Sequence, residues 1–161
     1  MIEKIKAEMI EYFKGDPKRI QHFIKVYFFC EMIGEAENLS DQEMFILRAA
    51  ALTHDIGIKR AEELFGSTNG KFQEALGPNV AREMFEKLGM DSYLIERICF
   101  LIAHHHTYDH IKALDYQILV EADFLVNLYE DNSSVESIKT AKEKIFKTKT
   151  GLSILEKMFN I

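Results

Sequence analysis

A histidine and an aspartate stand side by side where a strongly apolar segment ends. His54 and Asp55 follow the apolar residues 49–52, and Gly57 comes two positions later. A carboxylate in apolar surroundings is costly unless a partner neutralises it, and imidazole with carboxylate is a usual ligand mix for Zn, Mn, Fe or Ni. Neighbouring helix residues point about 100° apart, so both side chains can reach one ion only near a helix end. We predict that Gly57 provides this end and closes the helix.

Two further side chains of the same chemistry lie in apolar helical runs. His22 is flanked by Phe23 and Val26, and Asp123 lies within the run 119–125. A single histidine on an apolar face is more often a core residue, and a single aspartate in such a helix is more often a cap or a hydrogen-bonded core group. Taken with His54-Asp55, however, they form a set of potential metal ligands on three separate helices.

The order of these motifs resembles that of the HD-domain metal-dependent phosphohydrolases over roughly residues 16–130. The matching motifs are His22-x-x-Lys25-Val26, Ala51-Leu52-x-His54-Asp55-Ile56-Gly57, Leu101-Ile102-x-x-His105-His106 and Ala122-Asp123. The resemblance implies an all-α, compact single-domain helical fold and a divalent metal ion bound by His22, His54, Asp55 and Asp123. It leaves the identity of the metal open among Mn, Fe, Ni, Zn, Co and Mg. It also implies hydrolysis of a phosphate ester or anhydride, usually on a nucleotide.

The histidine run 104–106 bears on the number of metal ions. In binuclear members of the family, a His-His pair and a His-Pro pair supply ligands to a second metal. The first pair corresponds here to His105 and His106, but the second falls on Gly77-Pro78, where glycine offers no ligand. We therefore expect one metal, or a weaker second position, and this also counts against a di-iron oxygenase. Glu74 is a candidate substitute carboxylate, with a solvated loop residue as the alternative interpretation.

The remaining roles follow from an expected phosphate substrate. Asp55 is a candidate to orient the attacking water, and His105 to protonate the leaving oxygen, since imidazole titrates near neutral pH. Arg19 and Lys59 are candidate charge partners for a phosphate, and His106 is a third candidate substrate ligand. The alternative is that these cations are simply solvated and that the histidine run lies at the surface.

The predicted activity is metal-dependent hydrolysis of a phosphomonoester or phosphodiester, with a nucleotide as the expected small-molecule substrate. The alternative is a non-catalytic HD module that binds a metal and a nucleotide. The sequence contains no Gly-x-x-x-x-Gly-Lys-Ser/Thr loop, no Gly-x-Gly-x-x-Gly element and no Gly-x-Ser-x-Gly elbow, which argues against the phosphate-cradling and serine-hydrolase classes.

The helices that must position these side chains can be outlined from apolar residues at helical spacing, which recur almost throughout the chain. Asp16-Pro17 and the Ser40/Glu43 capping box mark two helix starts, Gly77-Pro78 is predicted to open another, and Asp115 to cap a later one. The predicted helices cover approximately residues 2–15, 16–38, 40–54, 60–65, 77–88, 91–104, 115–129, 135–146 and 152–159. Residues 66–70 are the clearest loop, and the last two helices follow a motif-bearing core of about 16–130.

Composition limits the partners. The 161-residue chain carries 26 acidic and 20 basic residues, for a formal net charge of −6, which argues against duplex nucleic acid as a partner. No run of roughly 18 apolar residues is found, so a membrane helix is not expected. The first residues mix charges with apolar residues and lack the apolar core of a signal peptide. We therefore expect a cytoplasmic protein, and the sequence leaves open whether it works as a homodimer.

Overall fold

A computed structural model describes residues 1–161, which form nine α-helices and no strand. The all-α prediction is therefore confirmed. The helices are α1 Ile2–Tyr12, α2 Pro17–Ala36, α3 Asp41–Ala51, α4 Gly57–Phe65, α5 Gly70–Lys87, α6 Ser92–His104, α7 Leu114–Glu130, α8 Val135–Lys144 and α9 Lys149–Phe159. None of them combines the length and the apolar character needed to span a bilayer.

The core lies between α2, α3, α6 and α7. Helix α2 packs against both α3 and α7, and α3 also contacts α6. One continuous cluster of 35 buried apolar residues runs from α1 to α9. Helices α4 and α5 pack against each other, and α5 also packs on α6. The apolar segments around His22, His54 and Asp123 are parts of this core, which explains why their polar side chains are buried.

The predicted starts of α2 and α3 are confirmed. The Asp16 carboxylate accepts a hydrogen bond from the Arg19 backbone N–H, and Pro17 occupies the first helical position. At α3, Ser40 and Glu43 form the reciprocal capping box. Because these caps satisfy backbone donors that have no partner inside the helix, they hold the entries of the two helices that approach the His-Asp pair.

The prediction for Gly57 was wrong. Helix α3 already ends at Ala51, residues 52–56 form turns, and Gly57 is the first residue of α4. A Cβ atom at Gly57 would lie 2.6 Å from both the Gln73 carbonyl oxygen and the Gly77 nitrogen. Glycine is therefore required by the close approach of α4 to α5, and the turn before it is what ends α3.

The prediction that Gly77-Pro78 opens a helix was also wrong. Helix α5 is continuous from Gly70 to Lys87, with Pro78 in its interior. An interior proline removes one backbone hydrogen bond and costs about 3 kcal/mol relative to alanine. Packing of α5 against both α4 and α6 offsets this cost, which a local sequence pattern does not reveal.

Smaller differences occur near the other helix ends. Asp115 lies inside the first turn of α7, after the N-cap Ala113, and its carboxylate binds Arg97 at 2.6 and 2.9 Å. Asp115 Oδ1 also accepts from the Tyr116 backbone N–H at 2.8 Å, but Asp115 does so from inside the helix, because the N-cap position belongs to Ala113. The predicted 60–65 helix begins earlier, at Gly57, and the last helix begins at Lys149 instead of residue 152.

Candidate metal centre

The fold brings the four predicted metal ligands together. His22 lies on α2, His54 and Asp55 lie in the turn after α3, and Asp123 lies on α7. The His22 Nε2 atom is 3.2 Å from His54 Nε2 and 3.3 Å from Asp123 Oδ1, and His54 Nε2 is 3.5 Å from Asp123 Oδ1. Asp55 Oδ2 lies 3.8 and 3.7 Å from the two Nε2 atoms. Ligands held at 2.0–2.2 Å from one ion would be roughly 3–3.6 Å apart.

The turn after α3 explains how two consecutive residues face one point. Because α3 ends at Ala51, His54 and Asp55 are released from the angular spacing of a helix. The Thr53 hydroxyl donates to the Ala49 carbonyl at 2.8 Å, and His54 Nδ1 lies 2.9 Å from the Ala51 carbonyl oxygen. These two bonds to the end of α3 fix the turn and the orientation of the His54 ring.

Hydrogen bonds at the far side of each ring show that the site fits a cation. His22 Nδ1 is 3.0 Å from Glu130 Oε2, and His54 Nδ1 faces the Ala51 carbonyl. Both partners are acceptors, which favours a proton on each Nδ1 atom and turns the two Nε2 atoms toward each other at a separation of 3.2 Å. Such an arrangement beside the carboxylates of Asp55 and Asp123 is repulsive unless a proton or a metal ion lies between them.

The electrostatics of the cluster also favour a bound positive charge. Burial opposes the charged form of His22, but Asp123, Asp55 and Glu130 together raise the pKa of His22 to about 9. Burial also opposes ionisation of Asp123, yet His22 and His54 hold the pKa of Asp123 well below its usual range. The site therefore concentrates negative charge and attracts a positive charge, which is a proton when no metal is bound.

The histidine run divides into three different environments. His104 stacks on the Phe100 ring at 4.2 Å, away from the cluster. His105 is fully buried, with Nδ1 against the Ile102 carbonyl at 2.8 Å and Nε2 2.9 Å from Asp55 Oδ1. His106 Nε2 lies 3.6 Å from Asp55 Oδ1 and is buried without a hydrogen-bond partner.

Asp55 therefore links two groups of potential ligands. Its Oδ2 atom lies nearest the Nε2 atoms of His22 and His54, and its Oδ1 atom faces His105 and His106. Asp55, His105 and His106 have ligand atoms within 4.8 Å of one another. The sequence suggested a weaker second position, and this second group offers one carboxylate and two imidazoles.

Glu74 and Gly77 lie apart from both groups. The Glu74 carboxylate accepts hydrogen bonds from the His106 backbone N–H at 2.9 Å and from the Thr107 hydroxyl at 3.3 Å, so it ties the turn after α6 to α5. A Cβ atom at Gly77 would lie 2.8 Å from Ile102 Cγ2. Position 77 is thus a helix-packing position with no room for a ligand side chain.

A cavity of about 630 Å³ adjoins the cluster. His22, Asp55, His106 and Arg19 form part of its wall. The Lys59 ammonium group is elsewhere, because it donates to the Tyr12 carbonyl at 3.0 Å and lies over the Tyr12 ring. Of the predicted substrate ligands, the fold thus brings Arg19 and His106 to the cavity and not Lys59.

Glu130 is a site residue that sequence reasoning missed. It joins His22 Nδ1 to the Lys25 ammonium group, at 3.0 and 2.6 Å. Asn127, which donates to Asp123 Oδ1 at 2.9 Å, was missed as well. Both lie on the same face of α7 as Asp123, four and seven residues further on. This helical spacing from Asp123 was the only feature of the sequence that could have indicated the two residues.

The comparisons with known proteins agree with the fold and identify the family. A family model described as HD domain matches residues 19–145. The crystal structure of a predicted HD superfamily hydrolase from an uncultured Thermotogales bacterium is similar in fold, with a TM-score of 0.70 and 24% identity over 98% of this chain and 84% of that chain. No curated protein gave a match. Because the family match spans most of the sequence and includes all four predicted metal ligands, the chain belongs to the HD domain family.

Proposed function

We propose that this protein is a metal-dependent phosphohydrolase that acts on a phosphate ester, with a nucleotide as the substrate. The observation that carries the proposal is the convergence of the His22 and His54 Nε2 atoms, 3.2 Å apart, with the Asp55 and Asp123 carboxylates, at the wall of an open cavity. Membership of the HD domain family and the fold of a predicted hydrolase support the same conclusion.

The reaction can be assigned to residues of this chain. His22, His54, Asp55 and Asp123 would hold a divalent ion, which when bound supplies Lewis-acid chemistry that neutralises charge on a phosphoryl oxygen and acidifies water. The oxygen of a water molecule forms a bond to phosphorus as the ester P–O bond breaks, and the water gives up one proton while the leaving oxygen takes up one. Asp55 lines the cavity and can accept a hydrogen bond from that water.

The proton for the leaving oxygen is better supplied by His106 than by His105, the residue expected from the sequence. Both ring nitrogens of the buried His105 face acceptors of the protein, Ile102 and Asp55. The His106 ring lines the cavity, and its Nε2 atom has no hydrogen-bond partner. Burial opposes charge on His106, but Asp55 raises the pKa of His106 above its ordinary value, which favours the protonated imidazole. His105 then holds Asp55 in position.

The experiment is a metal analysis combined with a phosphate-release screen. The purified protein is stripped with a chelator, reloaded with single divalent metals, and assayed on phosphomonoesters and phosphodiesters, nucleotides among them. We expect turnover that depends on metal and is lost in Asp123→Asn. Metal and nucleotide binding without turnover of any substrate would contradict the proposal and favour the non-catalytic binding module.

A further inference from the structure

The outward face of α2 carries an apolar stripe that no other helix of the chain covers. Ile24, Phe28 and Met32 follow one another at intervals of four residues, which places them on one face of the helix, and they are 48%, 56% and 42% exposed. The opposite face of α2 packs against α3 and α7. Extended apolar patches are uncommon on monomeric proteins and mark interaction surfaces.

A groove of about 410 Å³ extends this apolar surface onto two neighbouring helices. Ile24 and Phe28 line the groove on α2, Tyr129 lines it on α7 and Met158 on α9, and all four side chains are exposed. Lys25 is the only lining residue that is not hydrophobic. The groove therefore suits an apolar side chain of a partner better than it suits a polar ligand.

The C-terminal half of this face is acidic. Glu31 and Glu35 lie beside and beyond Met32 on α2, and both approach the same guanidinium group, that of Arg48, at 2.8 and 3.5 Å. One cation shared by two carboxylates leaves a net negative charge, and the Glu35 side chain is 65% exposed. This end of the stripe can therefore accept a further cation.

The N-terminal half of the same face is basic. Lys18 is exposed, and Lys25 keeps part of its surface exposed although its ammonium group binds Glu130 at 2.6 Å. On the face of α2 itself, the charge thus runs from positive to negative across the apolar stripe.

Two copies of this face complement each other when their α2 helices run antiparallel and cross at Phe28. Positions equally distant from Phe28 then lie opposite each other, so Ile24 faces the partner's Met32 and Lys25 faces the partner's Glu31. A two-fold axis repeats each of these contacts and brings Phe28 against its own counterpart. Parallel helices would instead bring like charges together, which is unfavourable.

We propose that this face is the interface of an isologous homodimer built around antiparallel α2 helices. Met32 of each copy enters the groove of the other, because it lies opposite Ile24 and its unbranched side chain adapts to irregular spaces. Stable dimers bury about 800 Å² on each partner. A contact along residues 21–35 is roughly 20 Å long, and α7 and α9 widen it to the required extent. This assembly does not depend on the proposed hydrolysis.

The first test is the oligomeric state of the full chain by analytical ultracentrifugation. We expect a dimer at about 100 µM, since interfaces of standard size have micromolar or lower Kd values. Phe28→Asp brings two carboxylates together at the axis and should give a monomer, as should Ile24→Asp. Ile10→Asp on α1 is the matched control, because Ile10 is 46% exposed, and it should remain dimeric. A monomeric wild type, or a dimer that survives both α2 variants, would overturn the proposal.

A cysteine scan tests the antiparallel register. Cys30 and Cys99 are buried, so a cysteine added at the surface is the reactive one. Phe28→Cys should form a disulfide-linked dimer under mild oxidation. Ile24→Cys should not, because the two added thiols would be offset by eight residues, or about 12 Å along the helices, which a disulfide does not span. Equal cross-linking of both variants, or none of Phe28→Cys, would overturn the register.

A charge reversal tests the same register without removing an apolar contact. Gln21 lies opposite the partner's Glu35, so Gln21→Glu should raise the dimer Kd severalfold, and adding Glu35→Lys should restore it. An unchanged Kd in Gln21→Glu would contradict this pairing. A membrane is the other occupant to be tested. A monomer that co-sediments with phosphatidylcholine–phosphatidylglycerol vesicles, and no longer does so as Phe28→Asp, would assign the face to a lipid surface and overturn the dimer.

Discussion

Two acidic residues of α7, Glu121 and Asp123, lie two positions apart in one apolar run and are 0% and 2% exposed. The Glu121 carboxylate accepts hydrogen bonds from the Lys147 and Thr148 backbone N–H groups at 2.7 and 2.9 Å, and from the Thr148 hydroxyl at 2.6 Å. Gln117 adds a fourth donor at 2.7 Å. Asp123 receives one fixed donor, from Asn127, and otherwise faces the Nε2 atoms of two histidines.

The difference shows two ways of stabilising a buried carboxylate. Residues two apart on a helix point about 200° from each other, so Glu121 faces the turn between α8 and α9 and Asp123 faces α2 and the turn after α3. Glu121 is satisfied by donors of the chain and ties the C-terminal helices to α7. The charge of the Asp123 carboxylate is not satisfied by donors of the chain alone and requires a proton or an added cation. One acid therefore serves the fold and the other the site.

The largest expected effect is loss of the metal in Asp123→Asn. Removing one carboxylate from the cluster should weaken metal binding by on the order of 100-fold or more, since even changes next to ligands cost 10–100-fold. Added metal at about 100 times its Kd should stabilise the wild type by roughly 2.7 kcal/mol and this variant hardly at all. Thermal unfolding with and without metal measures both. A normal metal-dependent rise in Tm would contradict the assignment of Asp123.

Glu121→Gln should show the opposite pattern. An amide in place of the carboxylate leaves some of the N–H donors of residues 147 and 148 unpaired, so we expect a loss of about 2 kcal/mol in the free energy of unfolding. The Glu121 carboxylate also packs so closely on Gly151 that a Cβ atom there would have no room. A glutamine side chain therefore has little space to move and restore the lost hydrogen bonds. Denaturant titration measures the loss, and the metal-dependent rise in Tm should be retained.

Glu130→Gln sharpens the comparison within the site, because Glu130 contacts His22 Nδ1 and would act on a bound metal only through that ring. We expect metal affinity to fall by about 10–100-fold with little change in Tm of the metal-free protein. Glu143→Gln on α8, an exposed glutamate with no side-chain partner, is the matched control. Unchanged metal affinity in Glu130→Gln would mean that Glu130 only neutralises Lys25.

The smallest expected effect concerns Glu37, a third carboxylate that, like Glu121, is compensated by donors of the chain. The Thr150 hydroxyl and backbone N–H lower the pKa of Glu37 from its ordinary value of 4.5. A lowered pKa means that the carboxylate contributes stability above about pH 4.5 and that this contribution is lost as the pH falls through the folded pKa. Glu37→Gln should cost about 1 kcal/mol at pH 7 and converge with the wild type in acid, as measured by denaturant titration at both pH values.

Local patterns were sufficient for the all-helical fold and for the starts of α2 and α3. Asp16-Pro17 and the Ser40/Glu43 pair start helices because their side chains bond to backbone groups three residues away or less, and such contacts are encoded in neighbouring residues. The predictions for Gly57 and Gly77 were wrong because the contacts that matter there are made with residues distant in the sequence. Their requirement for glycine comes from the approach of α4 to α5, and no neighbour in the sequence reports it.

The sequence by itself determined that the chain is helical, that His22, His54, Asp55 and Asp123 are polar groups in apolar surroundings, and that the protein resembles HD-domain proteins. Only the tertiary structure decided which polar groups compensate each other. Arg19 and Glu62 are 43 residues apart, and His22 and Glu130 are 108 residues apart. A charge is free or neutralised according to what lies within a few ångströms of it, and that distance is set by helix packing.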